Sequence, residues 1–321
     1  MSYQHIDGLL AVNKPAGVIS KDVSRWLVKR IGKVKLGHVG TLDPAASGVL
    51  PLLLGRATRL QDFLLELPKT YEFDITFGSE TDTLDQDGKV VREAPWDHVT
   101  EGDLRVALER FIGDIEQVPP IYSAVKYKGK PLYDYARGGD QEAAAAVPLA
   151  ELKRRVSVSE FELLNFRPGS SSFRITCSKG TYVRSLVRDV SETLGTCGTL
   201  TRLVRTSAAG IDLAQSHGLE GIESQLDGFA SLIVPMAQIK TGLAHWSCPD
   251  PLATAKLRGG QNINVAVETY LAGLSDESDQ ALPSALSKSV LLISDKGAAF
   301  GVGTVRRNES GRVVIALKRG L

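Results

Sequence analysis

Between Tyr71 and Phe77 the chain alternates without a break. Tyr71, Phe73, Ile75 and Phe77 are apolar or aromatic, while Glu72, Asp74 and Thr76 are polar. Successive side chains take opposite faces only in an extended chain, so this segment is a half-buried strand. Other strands are predicted around it. Leu9 to Val12 is a short apolar run ended by Asn13-Lys14-Pro15, a strand entering a turn. Val49 to Leu54 reads as a short buried strand or turn, and Val156 to Asn165 and Ser172 to Cys177 as strands, with Gly180 breaking the second. Helical spacing appears elsewhere. Ser20 is placed to cap a helix whose apolar stripe is Val23, Trp26, Leu27 and Ile31, with Lys21, Arg25, Lys29 and Arg30 largely off that stripe. Ala57 to Leu65 is a short helix, and Leu104, Leu108 and Phe111 mark another over Glu101 to Phe111. Val183, Leu186, Val187, Val190 and Leu194 mark a further one, whose other face carries Arg184 and Arg188. Gly37 to Gly48 and the acidic stretch Gly78 to Gly88 are expected as loops. Pro119 to Gly139 is aromatic and basic, and ends in Gly138-Gly139-Asp140 and an alanine tract. After about residue 235 short β-like runs (Ile263 to Val267, Val290 to Ile293, Ala298 to Val305, Val313 to Leu317) alternate with turns, and Ser275 to Ser289 is loop-like.

A length of 321 residues suggests about two domains, and 43% hydrophobic residues exclude a disordered or fibrous chain. The net charge of +1 hides a segregation. Residues 1–60 carry +6, residues 71–116 carry −9, and residues 174–205 and 306–321 carry +4 each. Basic blocks merged by folding would make a face for a polyanion, whereas ordinary solvated surface is the plainer explanation of charge alone. Cys177, Cys197 and Cys248 are too few and scattered for a disulfide framework or a Cys-rich metal site, which points to a reducing compartment, the cytoplasm. The five histidines form no HxxxH or HxH pair, so no metal is expected. The N-terminal segment lacks the features of a signal peptide, and no apolar run approaches membrane-spanning length.

The segment richest in chemistry runs from Gly37-His38-Val39-Gly40-Thr41-Leu42-Asp43-Pro44 to Arg59. Asp43 is the only acid between Asp22 and Asp62, beside glycines that allow a ligand close to the backbone. A carboxylate there can serve as nucleophile or base on an anionic substrate steered in by Lys and Arg. On spacing alone an Asx turn before proline is the better reading.

The sequence GHVGTLDPAASGVLPLLLGRAT closely resembles the GHTGTLDPxATGxLPxxxGxAT signature of the TruB family, the tRNA pseudouridine-55 synthases. Asn13 to Ser20 is similar to the family's upstream KPxGxxS motif, Lys69-Thr70-Tyr71 to its tyrosine strand, and Thr81 to Gly88 to its TDTxDxxG loop. Tyr127 to Arg137 is similar to its RNA-gripping insertion and Cys177 to Arg184 to its CSKGTYxR motif. The six blocks occur in family order over about the first 205 residues; Val39 and Ser47 each replace a common threonine. The resemblance implies a mixed α+β catalytic domain over 1–235, built on a mainly antiparallel sheet with Asp43 in a cleft across it. A thumb-like RNA-binding insertion at about 122–150 and a small β-rich, PUA-like domain over 236–321 are implied as well. It further implies that Asp43 attacks a flipped-out uridine and that Arg184 pairs with it. Tyr71 would stack on the uracil, Tyr182 and Leu203 would line its pocket, His38 would lie near the flipped nucleotide, and Asp85 would lie near the active site. The implied reaction is isomerisation of uridine 55 in the tRNA T-loop. It needs no cofactor and no metal, and the T-arm stem-loop is its partner, with no membrane and no obligatory protein partner; a monomer suffices. Two competitors are a non-catalytic RNA-binding protein using the same basic face, and a carboxylate N-glycosidase. The latter would want a second acid to activate water, and the motif around Asp43 supplies none.

Overall fold

The alternating segment forms the strand Lys69–Phe77, near the middle of an eleven-stranded, mainly antiparallel sheet. The computed structural model describes residues 6–138, 146–275 and 289–321. The main path of the sheet runs His217–Gly218, Gly8–Lys14, Ser47–Leu54, Gly198–Ala208, Lys69–Phe77, Ser170–Cys177, Arg154–Arg167, Gly113–Gln117. On that path, Gly198–Ala208 meets Ser47–Leu54 in parallel, as does Gly8–Lys14 with His217–Gly218; the other pairs are antiparallel. Phe73, Ile75 and Phe77 face one core together with Phe173, Ile175 and Phe161, roofed by the helices Glu101–Glu109 and Val183–Thr193. The first helix starts in a capping box, in which Thr100 accepts from the Asp103 N–H and the Asp103 carboxylate accepts from the Thr100 N–H.

The run Leu9 to Val12 does not alternate because both of its faces are covered. Leu10 and Val12 pack with Leu50 and Leu52 beneath Val23, Leu27 and Ile31 of the helix Ser20–Ile31. Leu9 and Ala11 turn the other way, into a core shared with Leu53, Met236, Leu291, Ile293, Val302 and Leu321. A second sheet thus packs on the first. Its five strands run in the order Ala244–Ser247, Ser289–Ile293, Ala299–Arg307, Val313–Gly320, Ile263–Val265. Polar links reinforce this contact: Arg319 Nη1 donates to Arg59 O at 2.8 Å and Arg59 Nη1 to Gly320 O at 2.5 Å.

Several elements depart from the sequence expectation. Gly198–Ala208 was not anticipated as a strand, yet it pairs with Lys69–Phe77 along its length. Its register slips between Leu200 and Arg202 and again between Arg205 and Ser207, and each bulge interrupts the period of two that betrays a strand. Within the expected loops, Leu36–His38 pairs with Ser47–Leu54, and Ser79–Thr81 forms a hairpin with Val90–Glu93. The C-terminal part carries two helices among its strands, Pro251–Arg258 and Val267–Ala272. The first begins on Asp250, whose side chain accepts from the Ala253 N–H, with proline at the first helical position. Residues 139–145, with most of the alanine tract and part of the expected insertion, and most of the loop 275–289 lie outside the described residues.

The charge blocks also look different once folded. Glu72 and Asp74, from the acidic block, pair with Arg174 at 2.8 Å and Arg202 at 2.7 Å on the flanking strands. Lys14, Lys69, Arg184 and Arg205 are buried. These six basic residues therefore serve the interior and the sheet surface, and are not free to form one basic face.

Candidate active site

The signature segment is held from three directions. From below, the buried Lys14 ammonium donates to the Val18 carbonyl at 2.7 Å, the Pro15 carbonyl at 2.9 Å and the Pro44 carbonyl at 3.2 Å. Burial lowers its pKa to about 8, with Asp43 opposing the shift and Arg205 adding to it. From one side, Ser20 Oγ donates to Leu42 O at 3.0 Å and lies 2.9 Å from the Leu42 N–H, from which it accepts. Ser20 is therefore not the helix cap expected; Ile19 occupies that position, and the hydroxyl fixes the residue before Asp43. From the other side, Arg205 Nε donates to Val49 O at 2.7 Å, Nη1 to Thr41 O at 3.2 Å and Nη2 to Gly40 O at 3.3 Å. Among these anchors Arg205 was not singled out in the sequence, since a lone arginine in a strand without clean alternation gives no local signal.

This frame presents Asp43 with its side chain 42% exposed, the state a reacting carboxylate needs. Its Oδ2 lies 2.9 Å from Nη2 of Arg184, which is only 5% exposed. The same guanidinium donates to Thr83 O at 3.0 Å and to Tyr122 O at 2.9 Å. Its Nε has no hydrogen-bond partner and faces Asp85 Oδ2 at 3.6 Å. The polar face assigned to the helix Val183–Thr193 is thus not a solvent face. Arg184, Ser185 and Ser191 are buried, because the segment after Gln117 lies over the helix start: Ser185 Oγ donates to Val118 O at 2.8 Å and Arg188 Nη2 to the same oxygen at 3.3 Å.

Asp85 lies in the acidic loop that the resemblance put near the active site. The motif around Asp43 supplies no second acid, and the fold brings this one from 42 residues later to the same guanidinium and the same cleft. Asp85 is placed by backbone pairing, with Gln86 N donating to Leu200 O at 3.1 Å and Leu200 N to Leu84 O at 3.2 Å. Its carboxylate accepts from Thr83 Oγ1 at 2.6 Å and from the Asp87 N–H at 3.2 Å, and its side chain is 13% exposed. It is a bound, inward carboxylate, unlike Asp43.

The cleft, about 280 Å³ with the solvent at its open mouth included, is lined by Asp43, Asp85, Leu200, Arg202 and Leu203, among others. Tyr71 stands beside it, at the register position of Arg205, with which its hydroxyl interacts. Burial pushes that hydroxyl above its ordinary pKa, and Arg205 pulls it back. Tyr182, two residues before Arg184, packs its ring against Val125, Leu132 and Val147, while Gln117 clamps its backbone by accepting from its N–H at 2.7 Å and donating to its carbonyl at 3.0 Å. His38 is half-buried on the short strand before the loop. Burial lowers its pKa, and Arg205 adds to the effect. Asp43, Asp85, Arg184 and Leu203 are therefore assembled around one cleft and Tyr71 is coupled to it through Arg205, whereas Tyr182 and His38 are not among the residues that line it. Along the basic-aromatic segment, Lys128 lies over Tyr127 at 5.2 Å, Lys130 over Tyr135 at 4.7 Å and Arg137 over Tyr133 at 5.9 Å. Among the described residues no group of three or more His, Cys, Asp or Glu is arranged to hold a metal ion, and no helix is long and apolar enough to cross a membrane.

Comparison with known proteins agrees with this arrangement. Residues 28–183 match the model of the TruB family pseudouridylate synthase N-terminal domain. The tRNA pseudouridine synthase B of Caldanaerobacter subterraneus subsp. tengcongensis is 46% identical over 219 residues, covering 68% of this chain and 74% of that one. The protein of the same name from Symbiobacterium thermophilum is 44% identical over 237 residues, 73% of this chain and 76% of that one. The one from Geobacillus kaustophilus is 39% identical over 264 residues, 79% and 90%. In fold, the chain matches one in an H/ACA RNP bound to a substrate RNA containing 2′-deoxyuridine, with a TM-score of 0.69 at 21% identity, over 98% of this chain and 84% of that one. A chain of a Cbf5-Nop10-Gar1 complex gives the same TM-score and coverage at 22% identity. The chain belongs to the TruB family of pseudouridylate synthases, which are isomerases.

Proposed function

We propose that this chain converts uridine 55 in the T-loop of tRNA to pseudouridine, with Asp43 as the nucleophile on a flipped-out base. The observation that carries this reading is the half-exposed Asp43 carboxylate, fixed at 2.9 Å by a buried arginine at the edge of a cleft. The relatives' name, tRNA pseudouridine synthase B, supports the substrate. A base inside a folded RNA must leave its stack to be reached, and Tyr71 and Leu203 offer it a platform and a wall. Asp43 attacks either C6 of the uracil or C1′ of the ribose, forming a carboxylate adduct. The bond between C1′ and N1 breaks, the base turns over and C5 bonds to C1′; the bond to Asp43 breaks again to return the free carboxylate, the C5 proton is lost to a base, and N1 takes up a proton. Product and substrate are isomers, so no cofactor is consumed.

Arg184 holds Asp43 in place while balancing Asp85. His38 and Tyr182 contact the flipped nucleotide and its surroundings. The segment at about 122–150 grips the T-arm as a thumb, helped by its paired tyrosines and cations. A PUA-like domain over 236–321 extends the grip from the catalytic domain over 1–235. One copy of the chain suffices, and the three free, buried cysteines suit the cytoplasm.

The N-glycosidase alternative draws some support from Asp85. A base that activates water needs an accessible carboxylate, and the bonds from Thr83 and Asp87 occupy the one Asp85 offers. Products decide between the readings. A T-arm stem-loop carrying tritium at C5 of uridine 55 should release tritium and keep its base. Free uracil would establish hydrolysis, and tight binding without release would establish a binding protein. Asp43→Asn should abolish release and leave RNA binding intact; turnover in that variant would remove Asp43 from the role.

A further inference from the structure

We infer that Arg205 is a positioning residue for catalysis, locking the Asp43 loop and the Tyr71 ring into one frame; this rests on the reading of Asp43 as the reacting carboxylate. Arg205 lies where two sheet neighbours meet. On one side its register partner is Tyr71, on the other Gly48, at the end of the Asp43 loop. From there the side chain spans the base of the loop, bonding Gly40 and Thr41 before Asp43 and Val49 after it. It is 1% exposed, so water does not compete for these carbonyls. It also interacts with the Tyr71 hydroxyl. No hydrogen bond or ion pair joins Arg205 to Asp43, so its influence on the carboxylate passes through the loop backbone.

The loop is built to keep this contact. Gly48 has φ +104°, and a Cβ there would lie 2.3 Å from the backbone oxygen of Arg205 and 2.8 Å from its nitrogen. Both are backbone atoms that cannot step aside, so glycine is what lets the loop end close onto Arg205. The geometry also selects the guanidinium. Three carbonyls are reached from three different nitrogens of a planar fork, whereas a lysine offers one nitrogen. Lysine at this position can keep the charge and one or two of the bonds, but it cannot tie both ends of the loop to Tyr71.

The test compares wild type, Arg205→Lys, Arg205→Met and, as control, Asp43→Asn. For each, single-turnover tritium release is measured at saturating T-arm RNA, together with the RNA dissociation constant and thermal unfolding. Loosening a reacting group by about an ångström costs roughly 100-fold, so Arg205→Met should lose about that much in rate. Its RNA affinity should stay within about threefold, because the uridine cleft is left in place. Arg205→Lys should recover most of the thermal stability but not the rate; a purely structural arginine would have both restored together. The proposal fails if folded Arg205→Met or Arg205→Lys turns over at the wild-type rate, or if the loss lies entirely in RNA affinity. If Arg205→Met does not fold, the lysine variant decides alone by the same criteria. Turnover in Asp43→Asn would overturn the reading of Asp43 and this proposal with it. A dead Asp43→Asn beside a fully active Arg205→Met would overturn this proposal alone.

Discussion

Replacing Arg184 by methionine tests the site most directly. The guanidinium serves four acceptors at once: Asp43 at 2.9 Å, Asp85 at 3.6 Å, and the carbonyls of Thr83 and Tyr122 at 3.0 and 2.9 Å. Methionine fills similar space but leaves all four without it. A charge pair at such distances is worth about 4–6 kcal/mol at an effective dielectric near 20. Asp43 is 42% exposed, so water makes good roughly half of its share. About 2–3 kcal/mol of positioning is then lost, which corresponds to a fall of roughly 30- to 150-fold in the single-turnover rate. The inward acceptors Asp85, Thr83 O and Tyr122 O get less help from water, so the fold should lose about 3 kcal/mol in urea unfolding, as when one partner of a buried pair is removed. Arg184→Lys restores the charge but not the fork, and should recover more stability than rate. Tritium release at saturating RNA and urea titration on the same preparations provide both numbers. A methionine variant that loses the expected stability yet turns over within about threefold of wild type would refute the reasoning, because the arginine would then be a structural strut with no hold on Asp43.

Two further outcomes are expected. Ser20→Ala leaves the Leu42 N–H and carbonyl without their partner and should destabilise the protein by about 1–3 kcal/mol; an unchanged urea midpoint would remove the hydroxyl from its assigned role. Lys14 has a folded-state pKa of about 8 against an ordinary 10.5. Between these values the folded protein has already shed the proton that the unfolded chain still holds, so stability rises with pH. Between pH 7 and pH 9 the stability of wild type relative to Lys14→Met should grow by about 1 kcal/mol; a flat difference would mean that burial does not perturb this amine.

What the sequence made legible was the local structure. The alternation from Tyr71 to Phe77 and the stripe from Val183 to Leu194 both reappear as elements, because each needs only its own residues to declare a periodicity. The signature likewise marked the segment holding Asp43. What stayed hidden depended on residues distant in sequence. The burial of Arg184 was not legible, because the segment that covers it begins some 65 residues earlier in the chain. The backbone bridge to Leu200 that holds Asp85 in place had no local signal, and Ser20 exchanged a helix cap for Leu42. The segmental charges left open a merged basic face or ordinary solvated surface, and in the fold the −9 and +4 blocks meet across adjacent strands, where Glu72 meets Arg174 and Asp74 meets Arg202. Charge counted along a chain says little about potential until the pairing of strands is known.

The strand Gly8–Lys14 carries one core on each face, and this binds the C-terminal sheet to the chemistry in a thermodynamic sense. Leu10 and Val12 are covered by the helix Ser20–Ile31, Leu9 and Ala11 by Leu291, Val302 and their neighbours, and the same strand ends at Lys14, the anchor beneath Pro44. If the second sheet melts, one side of that strand is bared to water, and the footing of the Asp43 loop is weakened without any change near Asp43 itself. Unfolding should therefore proceed as one cooperative transition and not as two. A cavity cut at Val302, far along the sequence from every signature residue, becomes a way to lower turnover by heat alone.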